Sequence, residues 1–460
     1  MRPSTPLHYL RVIVAAMLVP LAMASPTTAW AQQLNTSAAA LGLGGNFIAR
    51  ARGYEAVAWN PANLGLPGNP GFSLTLLPVA ASFTLDPITL GDIKDAESYK
   101  VPNVVPRATR QAWLDKVTAA GGEKGTPSGG ANVALSVGPF AAQLGMTFFG
   151  AVDLNPDAVE AILFGNVPAT GSGIDGANVR TFNFRNSKFN GGGVTTAAFS
   201  YGRAFGSQKP GSGTLAFGAT LKWVGGAFVG IAQDAGSSIN ANGGTISFPT
   251  VATRSFQDCR DDAGQLRAGC TQMSGPGGFS GSGIGADIGV SWLRDKLALA
   301  GAIQNVFNSF SWDESVLAYV PGLGQFDVNG DTTNFDEQPF ANAPAALKNA
   351  IANYKLKPTV SVGLAYAWRE DVTVSADVRQ QMGGDEAIVI GPKTSVGGGV
   401  EYRGIPMLSL RGGADYITGG TAVSFGAGLR FRRYELGAAI ALQQGDNKGT
   451  SLLVNLFSIR

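Results

Sequence analysis

The side chains in this sequence best placed to do chemistry together are opposite charges spaced along extended segments. Asp377 and Arg379, Glu401 and Arg403, and Arg411 and Asp415 stand two or four residues apart, followed by Arg430, Arg432 and Glu435. Residues at even spacing share one face of a strand, so these groups are expected to meet across neighbouring strands. Such pairs support either proton transfer or ion pairing, and the sequence lacks the usual partners for the first. The only histidine is His8, close to the N-terminus, so no triad of the usual kind and no His-based metal cage can form in the rest of the chain. The only cysteines, Cys259 and Cys270, lie in a polar Gly-rich segment. In an exported chain they read most simply as a disulfide, since a two-Cys metal site would need histidines or a second cysteine pair. Asp327, Asn329, Asp331 and Asn334 have some of the oxygen spacing of a calcium loop, but the required Gly and the closing Glu are missing, so a solvated loop is expected. The chain is therefore not expected to be an enzyme or to hold a metal or cofactor, and the charges are expected to line an interior as ion pairs.

The elements that would position them are strands. From Lys357 onwards, Val360, Val362, Leu364, Tyr366 and Trp368 alternate with Ser361, Gly363, Ala365, Ala367 and Arg369, and the same period of two recurs to the C-terminus. The second face carries Gly, Ala, Ser and the paired charges, unlike the scattered single charges of a soluble sandwich. Apolar outside and polar inside, in segments of about ten residues, is the pattern of a transmembrane β-barrel, in which closure satisfies every backbone group inside lipid. Followed along the chain, it predicts an all-β fold: a 14-stranded antiparallel transmembrane β-barrel with an N-terminal hatch. Short turns are expected near 138–139, 206–212, 294–295, 370–371, 404–406 and 433, with long excursions between them in the first two-thirds. Helices are expected over 107–120 and 343–354, and Trp223, Trp292, Tyr366, Trp368, Tyr416, Phe431 and Tyr434 should sit near strand ends at the headgroup level.

Composition points the same way. Hydrophobic residues make up 45% of the chain and charged residues 14%, yet past the N-terminus no apolar run is long enough to span a bilayer as a helix, so the apolar residues must be spread over strands. The 64 glycines are about twice the usual share, as a tightly packed wall would need. Arg2 and Arg11, the apolar run Val12 to Ala24 and Ala29-Trp30-Ala31 make an export signal over 1–31. The formal charge of +2 resides in Arg2 and Arg11, so the remaining chain has no basic footprint for nucleic acid.

Between this signal and the first strand lies a segment, 32–68, that is not strand-periodic. It contains Gly44-Gly45-Asn46-Phe47 and then Trp59-Asn60-Pro61-Ala62 followed by Leu64. Pro61 fixes its own φ and pushes Asn60 into an extended conformation, and the Asn60 side chain can hold a turn by bonding nearby backbone. This ordering resembles the N-terminal segment of the FadL-like outer-membrane transporters and their PorV-like relatives; Arg52-Gly53-Tyr54-Glu55 stands where an acidic pair is common. The resemblance implies a hatch in the periplasmic mouth of the barrel (69–460) in the bacterial outer membrane, with Phe47, Asn60, Pro61 and Ala62 at the gate. It implies a monomer, surrounded by outer-membrane lipid, that passes hydrophobic small molecules of fatty-acid or aromatic-hydrocarbon type. The rivals are a plugged docking or secretion scaffold and a general porin. A continuous apolar cavity would favour transport, and a lumen crowded by Arg430, Arg432 and Glu435 would favour the scaffold.

Overall fold

The computed structural model describes residues 37–97, 105–164, 180–206, 213–240, 243–254, 278–327, 332–384, 387–388, 391–445 and 448–459. The expected signal over 1–31, Cys259 with Cys270, and the middle of the Asp327–Asn334 segment lie outside them.

Fourteen strands form the wall: β1 (Phe72–Asp86), β2 (Glu123–Val137), β3 (Phe140–Leu154), β4 (Lys188–Phe205), β5 (Thr214–Gln233), β6 (Gly281–Arg294), β7 (Leu297–Asn308), β8 (Thr359–Ala367), β9 (Val372–Gln381), β10 (Thr394–Ile405), β11 (Leu408–Ile417), β12 (Gly420–Phe431), β13 (Tyr434–Gly445) and β14 (Gly449–Ile459). Each is antiparallel to the next, and β14 pairs back onto β1, with Leu74 opposite Ile459 and Thr84 opposite Gly449. That closing ladder leaves no open edge, which is the condition for a sheet to stand in hydrocarbon.

The faces divide as the alternation predicts. Large apolar side chains such as Leu144, Phe199, Leu221, Phe425, Leu436 and Val454 are exposed on the outside, where lipid covers them. Around the rim carrying the short turns, Phe72, Phe140, Phe205, Trp368, Phe431 and Tyr434 form an exposed aromatic girdle. Ser200, Thr220, Asp287, Ser291, Ser375 and Ser424 are buried on the inside.

Two features depart from the sequence reading. First, β4 and β5, at 18 and 20 residues and reaching Lys188 and Gln233, are far longer than the ten-residue segments of the sequence pattern. Gly191, Gly192 and Gly193 interrupt the apolar alternation while their backbones stay paired with β3 and β5, with a bulge against β5 between Gly193 and Val194. Second, the long connections are structured. Besides the expected helices, now α4 (Arg107–Ala120) and α6 (Ala345–Asn353), they carry α3 (Leu90–Glu97) and α5 (Pro156–Phe164). Five short loop segments, from Phe182–Asn183 to Thr332–Asn334, form a second sheet. Beneath it Phe149, Val224, Val251, Phe310, Trp312, Phe340, Leu347, Ile351 and Tyr354 pack into an apolar core. Trp312 Nε1 donates to Tyr354 O at 2.7 Å, which fixes α6 over the mouth.

Candidate functional site

The lumen is plugged by residues 37–70. The plug opens on helix α1 (Ala38–Gly42), capped by Ser37, whose hydroxyl accepts from Ala40 N and donates to Glu55 Oε1 at 2.6 Å. Helix α1 lies against β12 to β14, where Ala38 and Leu41 pack on Ala439, Ala441 and Leu453. This contact explains why β14 carries an apolar residue on its inner face. After α1 the chain sweeps past β11, β10 and β9, crosses the lumen, and returns as α2 (Ala56–Trp59) and a 3₁₀ turn (Pro61–Gly65) against β4, β5 and β6.

Glycine makes this sweep possible. A Cβ on Gly218 of β5 would stand 2.3 Å from Ala62 N, and one on Gly413 of β11 would stand 2.3 Å from Leu43 C. Plug backbone therefore touches wall backbone directly on opposite sides of the barrel, and no larger residue fits at either contact.

Amides set the register. Asn60 is extended, with φ −153° and ψ 105°, as the following Pro61 demands. Its Oδ1 accepts from Ala62 N at 3.0 Å, and its Nδ2 donates to Ser291 Oγ at 2.9 Å and Val290 O at 3.1 Å on β6. Asn63 Nδ2 donates to Ile48 O at 2.9 Å, tying the two halves of the plug together, and Asn63 Oδ1 accepts from Ser291. Asn46 bridges two strands: its Nδ2 donates to Asp415 Oδ1 at 2.7 Å and its Oδ1 accepts from Asp377 N at 3.0 Å. Asp377 Oδ2 in turn accepts from Ile48 N at 2.8 Å. Phe47 and Trp59 meet edge to face, with centroids 5.6 Å apart.

Charges hold the side facing β10 to β13. Glu401, 1% exposed, accepts from Arg50 of the plug, from Arg411 at 2.8 Å and from Arg403 at 2.8 Å. Glu435 accepts from Arg411 at 3.2 Å and Arg430 at 3.1 Å. Opposite this network, between the plug and the loop core, lies a chamber of about 160 Å³. Its floor is Val57 and Ala58, Leu356 and Ile388 contribute apolar lining, and most of the rest is polar: Gln143, Thr147, Thr196, Lys222, Asp287, Gln304, Asn305, Lys357, Arg379 and Gln381. Lys222 Nζ pairs with Asp287 at 2.6 Å, and Gln304 Nε2 donates to Ala58 O, so chamber and plug share a hydrogen bond.

The structure brings Phe47, Asn60, Pro61 and Ala62 together in the plug and places Asp377, Glu401, Arg403, Arg411, Asp415, Arg430 and Glu435 on the inner wall or its rim. Arg379 lies apart, among the chamber residues. Arg432 is a correction: it does not line the lumen but occupies the two-residue turn between Phe431 and Tyr434, exposed and with φ 55°. The period of two ends at the turn, so continuing it from Arg430 assigned Arg432 to a face it does not have. Sequence reasoning missed Asn46, Arg50, Asn63 and Gln304, none of which has a local backbone signal like the proline beside Asn60.

A family model described as "Family of unknown function (DUF5723)" matches residues 129–436. The chain belongs to this family. The DUF5723 match runs from within β2 to the start of β13, so it covers the wall of the chamber and leaves out the plug and the closing strands β1 and β14. No curated protein matches the chain. Among solved structures, the DUF5723 chain is similar to the toluene transporter TodX of Pseudomonas putida, at 15% identity over 94% of this chain and 98% of that one, with a TM-score of 0.43. It is also similar to a FadL homologue of Pseudomonas aeruginosa (12% identity, 95% and 99% covered, TM-score 0.44) and to the monoaromatic hydrocarbon channel CymD (11%, 93% and 98%, TM-score 0.44). The fold itself rests on the closed hydrogen-bond ladder.

Proposed function

We propose that this protein is an outer-membrane transport barrel whose plug shifts to let a small molecule through. The observation that carries the reading is the chamber above the plug, with Ala58 in its floor and Gln304 bonded to Ala58 O. A molecule held there touches the element that must move. The short-turn rim and the plug would face the periplasm, the loop cap would face outward, and lipid would surround a monomer.

The cargo we propose is of fatty-acid type rather than a plain aromatic hydrocarbon. The apolar core of the loop cap suits an apolar body, while Lys357 beside the neutralised Lys222–Asp287 pair suits an anionic head. The chamber is not the continuous apolar passage that a hydrocarbon would call for. A fixed scaffold remains the second reading, favoured by the ion pairs that anchor the plug to β10 to β13.

The test is uptake of a labelled long-chain fatty acid and of labelled toluene by cells with and without the protein, repeated with Gln304→Leu and with deletion of 32–58. Protein-dependent uptake of the acid, altered in both variants, is the expected result. Equal uptake with and without the protein refutes transport, and faster uptake of toluene refutes the cargo.

A further inference from the structure

The charges beneath the plug do not balance. Arg50, Arg403, Arg411 and Arg430 share two carboxylates, Glu401 and Glu435, and Arg50 and Arg403 both bond the same oxygen, Glu401 Oε2. The plug's sole carboxylate, Glu55, accepts from Ser37 Oγ. Arg50 is 9% exposed in its side chain, and its buried Nη1 finds no hydrogen-bond partner among the described residues. Arg52, two residues on, donates among the described residues to the carbonyls of Ala49 and Ala51 alone. Burial, and then the like charge of Arg50, pull its pKa down to about 10. Uncompensated charge out of water is costly, and an orphaned guanidinium donor adds to that cost. Arg403 and Arg430 remain 46% and 40% exposed, so the cluster opens towards the short-turn rim.

We propose that this cluster is an anion site for a phosphate group, held between Arg50 of the plug and Arg403 and Arg430 of the wall. The four guanidiniums outnumber the two carboxylates they ion-pair with, and Asp377 faces Arg50 without an ion pair to it, so the cluster favours an anion. Forks arriving from three separate segments match a tetrahedral oxyanion with several acceptor oxygens better than a planar carboxylate, which one fork satisfies. Because Arg50 belongs to the plug, an occupied site ties plug to wall on the side away from the chamber. The phosphate is either free in solution or part of a lipid headgroup, and the chemistry of the site is the same for both. The inference does not depend on transport, since a fixed scaffold would need the same neutralisation.

Full-length protein purified in non-ionic detergent without phosphate is titrated calorimetrically with sodium phosphate and, at equal ionic strength, with sodium chloride. Saturable binding of phosphate alone is expected, weakened at least fivefold by Arg403→Gln and, separately, by Arg430→Gln. Arg294→Gln, on a distant turn, should change it less than twofold. In parallel, protein in nanodiscs containing phosphatidylglycerol or phosphatidylcholine is analysed by native mass spectrometry for retained lipid. Retention of phosphatidylglycerol that falls in the two arginine variants assigns the site to a headgroup; phosphate binding with unchanged lipid retention assigns it to the free ion. Binding indifferent to both arginines, or equal for chloride and phosphate, with no arginine-dependent lipid retention, overturns the proposal.

Discussion

Removing the Asn60 side chain tests whether amide bonds, rather than apolar burial, hold the plug beneath the chamber. In Asn60→Ala, Ala62 N loses the acceptor that caps the 3₁₀ turn, and Ser291 Oγ and Val290 O lose a donor. Loss of an N-cap costs about 1 kcal/mol, and each side-chain hydrogen bond adds about 1 kcal/mol because Asn60 is fully buried and water does not replace it. A loss of about 2 to 3 kcal/mol would speed local opening roughly 30- to 160-fold. Asn60→Asp keeps the acceptor for Ala62 N but loses the donors and sets a buried carboxylate against Val290 O, so its effect should be at least as large as that of the alanine variant. The assay is amide hydrogen exchange in detergent on peptides covering 56–66, with peptides from β12 and β13 as internal reference. Acceleration of 56–66 with the reference unchanged is expected. If exchange there stays within threefold of wild type, the amide bonds do not hold the plug and the account of its register fails.

Other consequences can be measured directly. Gly218→Val should force the Ala62 contact apart at a cost of about 1 to 3 kcal/mol and raise single-channel conductance in planar bilayers; unchanged conductance would mean that plug and wall relax around it. Arg411→Ala leaves Glu401 and Glu435 without their shared buried partner and should destabilise the barrel by roughly 3 to 5 kcal/mol in denaturant titration, whereas a loss under 1 kcal/mol would show that the remaining guanidiniums suffice. Burial raises the Tyr354 hydroxyl above its ordinary pKa of 10.0, so its protonated, packed form is stabilising below that value and is lost as pH climbs through the raised one. Absorbance titration should therefore show one phenol ionising late, missing in Tyr354→Phe. If the variant and wild-type titration curves superimpose, Tyr354 is not shielded.

The wall was legible in the sequence and the plug much less so, for a physical reason. Lipid asks the same thing of every strand, so Val360, Val362 and Leu364 repeat the demand met by Leu452 and Val454, and periodicity sums it over the whole chain. The plug answers to a different wall residue at each step: Gly413 at Leu43, Asp377 at Ile48, Ser291 at Asn60. Only Asn60 carries a local signal, from Pro61. Asn46, Arg50 and Asn63 act on residues hundreds of positions away or across the plug's own turn, and neither spacing nor propensity shows that. The glycine excess was visible as composition, but its use, letting two backbones touch, needed both partners in view.

The two sides of the plug are held by different chemistry, and the difference bears on which side can move. Towards β10 to β13 the contacts are buried ions: pulling Arg50 from Glu401 would break an ion pair with a carboxylate that is 1% exposed, and Asp377 and Asp415 would lose the backbone and amide donors that solvate them. Towards β4 to β7 the contacts are neutral amides, glycine surfaces and the bond from Gln304 to Ala58 O, and parting them leaves no buried charge behind. The chamber opens onto this second side. A passage through the barrel is therefore built most cheaply by swinging 56–66 away from β4 to β7 while 38–50 stays bound to β8–β13, so the plug behaves as a flap hinged on its charged half rather than as a cork expelled whole.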